Sequence, residues 1–448
     1  MICIDFISNL GNQRNMFYFL LFLVSAEPLS LPETLELVSS QNPELQIARL
    51  GADKANLERL KSLSMFAPSI EAKASWLDFG EPLEVNLLGD ATQDIDCSSF
   101  DAFGMGDLCA SFSEPMLLRE AKIYDGSVQA ILPLSSLYSI YQGYQANRHL
   151  YEIKELETQQ LQAEIEIQVI EIYLQALHLE KMKEFTENTT KRLKYNQRKV
   201  DSFVAQDLLH PLESQRLDKA LAEISLAQMQ AEQGLDLLLK QLQLLLGRPI
   251  EPIPLEKTPV VNTNIDLSQT FQVQIALEQQ KAATSGYKSS VGQLLPTVAL
   301  MAATTTAQGQ GTLTPTEQQY VGIAVQGKFN WGQKLISTRQ AKLDLEMAGQ
   351  GLQLQTQALE LQEQALRVEW TIAKEQESIA QLQVQISEEN LRLQQEKFEQ
   401  QLITVSELLD AENDLLKAKL EQSQSQNNAT LKLSKYQYSL SSHPIQFE

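Results

Sequence analysis

The sequence predicts a mainly α protein with a smaller β part: long coiled-coil helices packed in a ring or sheet, and four strands that one chain cannot close. Three observations carry this. Chain breakers vanish from two long blocks, apolar residues within those blocks recur at 3/4 spacing, and four segments elsewhere alternate with period 2.

No glycine lies between Gly143 and Gly234 or after Gly351. Proline is reduced to Pro211 between Pro133 and Pro249, and is absent between Pro315 and Pro444. Leu, Gln, Glu, Ala and Lys, strong helix formers, fill both blocks. Sixty helical residues span about 90 Å, far more than a globular-domain helix needs. In the second block Leu361, Ala365, Val368, Ile372, Ile379, Leu382, Ile386 and Leu393 form a coiled-coil seam, with Glu375 and Glu389 at the skipped positions. In the first block Leu161, Ile165, Ile172, Leu179 and Met182 make one stripe, and Ile167, Ile170, Leu174 and Leu177 a second. A helix with two apolar stripes needs neighbours on two sides. Pro211 predicts a kink or break near the start of a first-copy helix.

The strand candidates alternate cleanly. Ile70, Ala72, Ala74 and Trp76 face one way; Val128, Ala130, Leu132 and Leu134 do the same, as do Val298, Leu300 and Ala302, then Val321, Ile323, Val325, Phe329 and Trp331. About 9–11 residues of such alternation suit a transmembrane β-strand, and equally a half-buried strand of a soluble sheet. The smallest single-chain membrane barrels have about eight strands, and an open edge in lipid leaves backbone groups unsatisfied. If these strands span a membrane, several protomers must share one barrel.

The plan occurs twice. Ala67-Pro-Ser-Ile-Glu-Ala-Lys-Ala-Ser-Trp76 resembles Leu295-Pro-Thr-Val-Ala-Leu-Met-Ala-Ala-Thr304. Tyr124-Asp-Gly-Ser-Val matches Tyr320-Val-Gly-Ile-Ala, and Leu217-Asp-Lys-Ala matches Leu415-Leu-Lys-Ala. A duplicated helix–strand–strand–helix–helix unit is expected, with repeats at 27–253 and 266–448 and a linker at 254–265. Residues 1–26 read as a signal peptide: the apolar run Met16–Ala26 is too short to span a membrane, and Val24-Ser25-Ala26 offers small residues for cleavage. A buried helix opening a cytoplasmic domain is the alternative, and Met16 is a second candidate start.

Composition excludes other classes. The net charge of -21 argues against nucleic acid, because such affinity rests on Lys and Arg neutralising phosphates. Three cysteines supply neither a disulfide-rich scaffold nor a multi-cysteine zinc site. The four histidines, His149, His178, His210 and His443, form no i,i+4 pair and no HExxH, so no metal site, cofactor or catalytic residue is expected.

Taken in order, these features resemble the TolC-like outer-membrane efflux protein family over nearly everything after residue 27. The residues that carry the resemblance are Leu35, Asn42-Pro43-Glu44-Leu45 with Ala48, the strands opened by Pro68 and Pro296, and Leu244-Leu-Leu-Gly247. The most specific is Glu396-Lys-Phe-Glu-Gln-Gln-Leu-Ile-Thr-Val-Ser-Glu-Leu-Leu-Asp-Ala411, which is similar to the family's periplasmic turn and descending helix. The resemblance implies a homotrimer with a shared twelve-stranded barrel in outer-membrane lipid and a helical barrel in the periplasm. It implies a passive, non-enzymatic exit duct of a tripartite efflux pump or type I secretion system, working with a periplasmic adaptor protein and an inner-membrane transporter. A periplasmic adaptor or a soluble coiled-coil scaffold is the alternative.

Glu407 and Asp410 lie three apart on one helix face and match the family's acidic constriction, which implies stacked acidic rings that favour cations. Their alternative is a solvated face, since Glu412 and Asp414 follow closely. Phe398, Ile403 and Leu209 are the gating candidates; Ile403 and Leu209 replace charged latch residues, which points to closure by coil packing. Cys97 and Cys109 fall in a long inter-strand connection and could form a disulfide or remain two thiols. Asp90, Asp94, Asp96, Asp101 and Asp107 in the same loop lack EF-hand spacing and read as solvated acids.

Overall fold

The computed structural model describes residues 27–85, 116–248, 250–252, 266–310, 315–326 and 331–440. The signal-peptide reading, Cys97, Cys109 and the loop aspartates lie outside the described residues. The first copy runs β1 (Glu27–Leu29), α1 (Leu31–Gln41), α2 (Pro43–Ser64), β2 (Ser69–Asp78), β3 (Leu83–Val85), β4 (Met116–Arg119), β5 (Lys122–Pro133), α3 (Leu137–Val204) and α4 (Leu212–Leu246). After β6 (Ile250–Pro252) follow α5 (Phe271–Gly292), β7 (Thr297–Gln308), β8 (Glu317–Gln326), α6 (Trp331–Glu399) and α7 (Val405–Leu440). Trp331, expected to end a strand, instead opens a helix. None of the described helices is long and apolar enough to cross a membrane.

Contacts divide the chain into two compact units that cut across the sequence repeats. Met1–Gln46, Leu161–Ile265 and Gln362–Glu448 make one; Ile47–Gln160 and Asp266–Leu361 make the other.

The first of these is helical. Its opening helix is fixed by a capping box: the Glu33 carboxylate accepts from the Ser30 backbone N–H at 2.8 Å and from its hydroxyl at 2.7 Å. The Asn-Pro-Glu-Leu motif has an equally local cause. Asn42, 2% exposed, accepts from the N–H groups of Glu44 and Leu45 at 2.9 and 3.1 Å, and donates through Nδ2 to the Leu245 carbonyl at 3.0 Å. Pro43 follows at the first helical position, where no N–H is needed. Gly247 ends α4 in the left-handed conformation, φ 74°, with its N–H on the Gln243 carbonyl. The two α3 stripes are both satisfied inside this unit, because Ile165, Ile170, Tyr173, Leu174 and Leu177 are buried with Leu31, Leu35, Leu242 and Tyr438. A short parallel pairing of β1 with β6, which periodicity over three residues could not announce, joins the segment before α1 to the segment after α4.

The other unit holds an antiparallel sheet in the order β2-β5-β7-β8. Each repeat contributes two strands, and β5 pairs with β7 across the duplication. A further pair, β3 with β4, lies on the long connection between β2 and β5. The register corrects one sequence match. Tyr124 pairs with Trp76, on the face that carries Ile70, whereas Tyr320 pairs with Ala303, on the opposite face. A shift of one residue moves a side chain through the sheet, so the two tyrosines are not equivalent.

Candidate functional site

Two features stand out as candidate sites: one sheet face and the turn ends of two helical hairpins. Register places Ile70, Ala72, Ala74 and Trp76 of β2 on the same face as Val128, Ala130 and Leu132 of β5. Val298, Leu300 and Ala302 of β7 join that face, as do Val321, Ile323 and Val325 of β8. Ile70, Val321, Ile323 and Val325 are 69–77% exposed, and Trp76, Val128 and Leu300 are also open. The opposite face carries Glu71, Lys73, Ser127, Gln129, Thr305 and Gln318. One face of the sheet is thus apolar and exposed, the other carries polar side chains, and among the described residues β2 and β8 each have one edge without a strand partner.

The hairpin turns repeat one backbone device. The Asp207 N–H bonds the Val204 carbonyl and the Leu208 N–H bonds the Phe203 carbonyl; in the second copy Gln401 bonds Phe398 and Leu402 bonds Lys397. This pair of bonds is a Schellman closure, with Asp207 and Gln401 in the left-handed region at φ 56° and 59°. Superposing the turns equates Leu209 with Ile403 and Leu217 with Ala411, so the Leu217–Leu415 sequence match is one helical turn out of register. Pro211 stands just before α4 rather than within it, at the break between α3 and α4, where its missing N–H costs nothing.

Phe398 is 4% exposed and meets Phe203 edge to face, with centroids 6.5 Å apart. Leu209 and Ile403, half-buried, pack against the same cluster of Leu217, Val405, Leu408, Ala411 and Leu415. The three gating candidates thus meet around one apolar cluster contributed by both hairpins.

Glu407 and Asp410 are both exposed on α7. Glu407 has a second role that the Thr404-x-x-Glu407 spacing announces. Its carboxylate accepts from the Thr404 N–H at 2.8 Å and hydroxyl at 2.9 Å, closing a capping box on α7. The bond from the Thr404 N–H, then that from its hydroxyl, hold the Glu407 carboxyl below the usual carboxylate range. The first copy is different. Glu213, the counterpart of Glu407, pairs at 3.3 Å with Arg216, the counterpart of Asp410, so that position is neutralised. At these two positions a pair of unneutralised acids occurs in the second hairpin and not in the first.

Glu412 is not a solvated acid. Its side chain is 1% exposed and accepts from Arg192 Nε of α3 at 2.8 Å and Gln395 Nε2 of α6 at 3.4 Å. Lys199 of α3 pairs with Glu399 of α6 at 2.6 Å. Ion pairs therefore tie the two hairpins together beside the apolar cluster. Nothing in local spacing signals this, since the ion-pair partners are 200 and 220 residues apart.

No protein-family model matches the chain, and no curated protein sequence matches it. Solved structures do. A membrane protein from Pseudomonas aeruginosa superposes with a TM-score of 0.74 at 13% identity, covering 93% of this chain and 91% of that one. The outer-membrane channel OprN superposes at 0.73 with 16% identity, covering 92% and 91%. The open state of the Neisseria gonorrhoeae MtrE outer-membrane channel superposes at 0.72 with 14% identity, covering 92% and 88%. The fold is that of the TolC-like outer-membrane channels.

Proposed function

We propose that the protein is a passive outer-membrane exit duct, three copies of which share one β-barrel, continued by a helical barrel in the periplasm. The observation that carries this reading is the apolar, exposed sheet face bounded by unpaired edges. Each large side chain on that face contributes about 1.5–3 kcal/mol when removed from water, so leaving the face wet costs on the order of 10 kcal/mol. Among the described residues the outer edges of β2 and β8 have no strand partner, and neighbouring copies of the sheet would supply one. The α6 seam supports the same conclusion: Val368, Ile372, Ile379, Leu382 and Ile386 are 53–65% exposed, while Ala373, Ala380 and Val384 are buried within the chain. A coiled-coil stripe left open along a helix of this length calls for a neighbouring copy.

On this reading substrate enters from an adaptor and an inner-membrane transporter, and the hairpin turns form the gate. Apolar packing of Phe398, Leu209 and Ile403 holds the closed state, and partner contacts shift the equilibrium toward the open one. The exposed Glu407 and Asp410, repeated by symmetry, favour cations at the narrow end. Efflux and type I secretion both fit this duct.

The test is membrane fractionation followed by light scattering of the detergent-extracted particle. The expected result is an outer-membrane particle with the protein mass of three chains. A detergent-independent soluble monomer or dimer overturns the proposal in favour of a periplasmic adaptor or scaffold.

A further inference from the structure

We propose that His149, Glu152 and Glu278 form a binding site for a first-row divalent cation of the zinc type. The proposal stands on side-chain geometry within one compact unit and does not depend on the duct reading.

His149 and Glu152 lie three apart on α3, hence on one helix face. Glu278 reaches the same point from α5. His149 Nδ1 is 2.6 Å from Glu278 Oε2 and 3.4 Å from Glu152 Oε2. One ligand atom from each of the three residues lies within 4.8 Å of the others. One imidazole nitrogen with two carboxylate oxygens suits zinc and its first-row neighbours; magnesium and calcium take oxygen ligands alone.

The carboxylates are also oriented. Glu152 Oε1 accepts from Arg148 Nε at 3.0 Å, and Glu278 Oε1 accepts from Lys281 Nζ at 2.6 Å. Each glutamate therefore gives one oxygen to a neighbouring cation and turns Oε2 toward the imidazole. Bonds of this kind hold metal ligands in place from outside. The burial is graded: the Glu278 side chain is 9% exposed, His149 17% and Glu152 31%. A cation has a path from the Glu152 side and a desolvated anion at its far wall.

The two distances to the imidazole need little change. Zinc bonds of about 2.1 Å in tetrahedral array put ligand atoms about 3.4 Å apart. The Glu152 contact already fits, and the His149–Glu278 contact opens by under about 1 Å. Binding at Nδ1 releases the proton there to solvent and breaks no other covalent bond.

The test is zinc titration of the chelator-treated full chain in detergent, followed by calorimetry and by thermal unfolding. One zinc per chain and a higher unfolding temperature are expected, with no shift from magnesium at the same concentration. His149→Ala and Glu278→Gln should each weaken zinc binding by roughly tenfold or more. Lys281→Ala frees Glu278 Oε1 but keeps all three ligands, so it should weaken zinc binding less than Glu278→Gln does. Absence of zinc binding overturns the proposal, as does equal affinity in the wild type and both ligand variants. Loss of binding in Lys281→Ala equal to that in Glu278→Gln also overturns it, because the response would then follow the integrity of the ion-pair cluster.

Discussion

Removing Arg192 should cost far more than neutralising the acid it serves. The Glu412 side chain is 1% exposed, whereas Arg192 is 33% exposed. Arg192→Met leaves a carboxylate stranded between helices, with only the long 3.4 Å bond from Gln395 in compensation. Breaking a buried pair in this way costs about 3–5 kcal/mol, and the Gln395 bond brings the expectation to about 3. Glu412→Gln strands nothing comparable: Arg192 keeps its 3.0 Å bond to the Thr189 hydroxyl and turns its remaining donors to water. That loss is about 1 kcal/mol. Replacing both partners by methionine should be close to neutral, since apolar isosteres remove the desolvation cost together with the attraction. Thermal unfolding of the detergent-extracted protein, followed by circular dichroism, gives the order directly. Arg192→Met should fall by several degrees, Glu412→Gln by less, and the double variant should recover most of the loss. If Arg192→Met is no worse than Glu412→Gln, the carboxylate has water and the buried-pair argument is wrong.

Three further outcomes follow from the geometry. Asp410→Ala, alone or with Glu407→Ala, should lower cation selectivity and block by multivalent cations in bilayer recordings; Thr404→Ala should weaken α7 by about 1 kcal/mol without that effect, and unchanged selectivity in the double variant refutes the acidic rings. Ile323→Arg should cost about 2–4 kcal/mol if its face meets lipid near mid-bilayer, reducing the yield of heat-modifiable oligomer, while Gln318→Arg on the other face should not; equal yields refute the lipid-facing assignment. Burial pushes the Glu166 carboxyl up, outweighing its bonds from Gln162 and Tyr438. Its folded form therefore favours the proton, and the stability this supplies at low pH is lost as pH rises through the folded value. Glu166→Gln should raise the unfolding temperature at pH 8 and barely change it at pH 4; equal shifts at both pH values refute the assignment.

Much of the architecture is legible locally because its causes are local. Missing glycine and proline over long stretches leave helix as the only sustained state, as α3 and α6 show. Period-2 alternation put Ile70, Val128, Leu300 and Ile323 on the outer sides of their own strands, and the register then brought all four to one face. Asn42 with Pro43 and Thr404 with Glu407 are short-range capping signals, although the latter pair also reads as part of an acidic face. Equivalence between the repeats was harder, since the Tyr124–Tyr320 match lies one residue from the pairing and the Leu217–Leu415 match one helical turn from the superposed turns.

What the sequence determined by itself is the long helices, the four long strands and the apolar faces that need covering. Only the tertiary structure decided which charges meet. Glu412 reads as one acid among several until α3 brings Arg192 to it, and His149 has only Glu152 at helical spacing until α5 brings Glu278 to 2.6 Å. The physical reason is range: helix propensity, capping and alternation act over a few residues, whereas burial and charge pairing depend on segments more than a hundred positions apart.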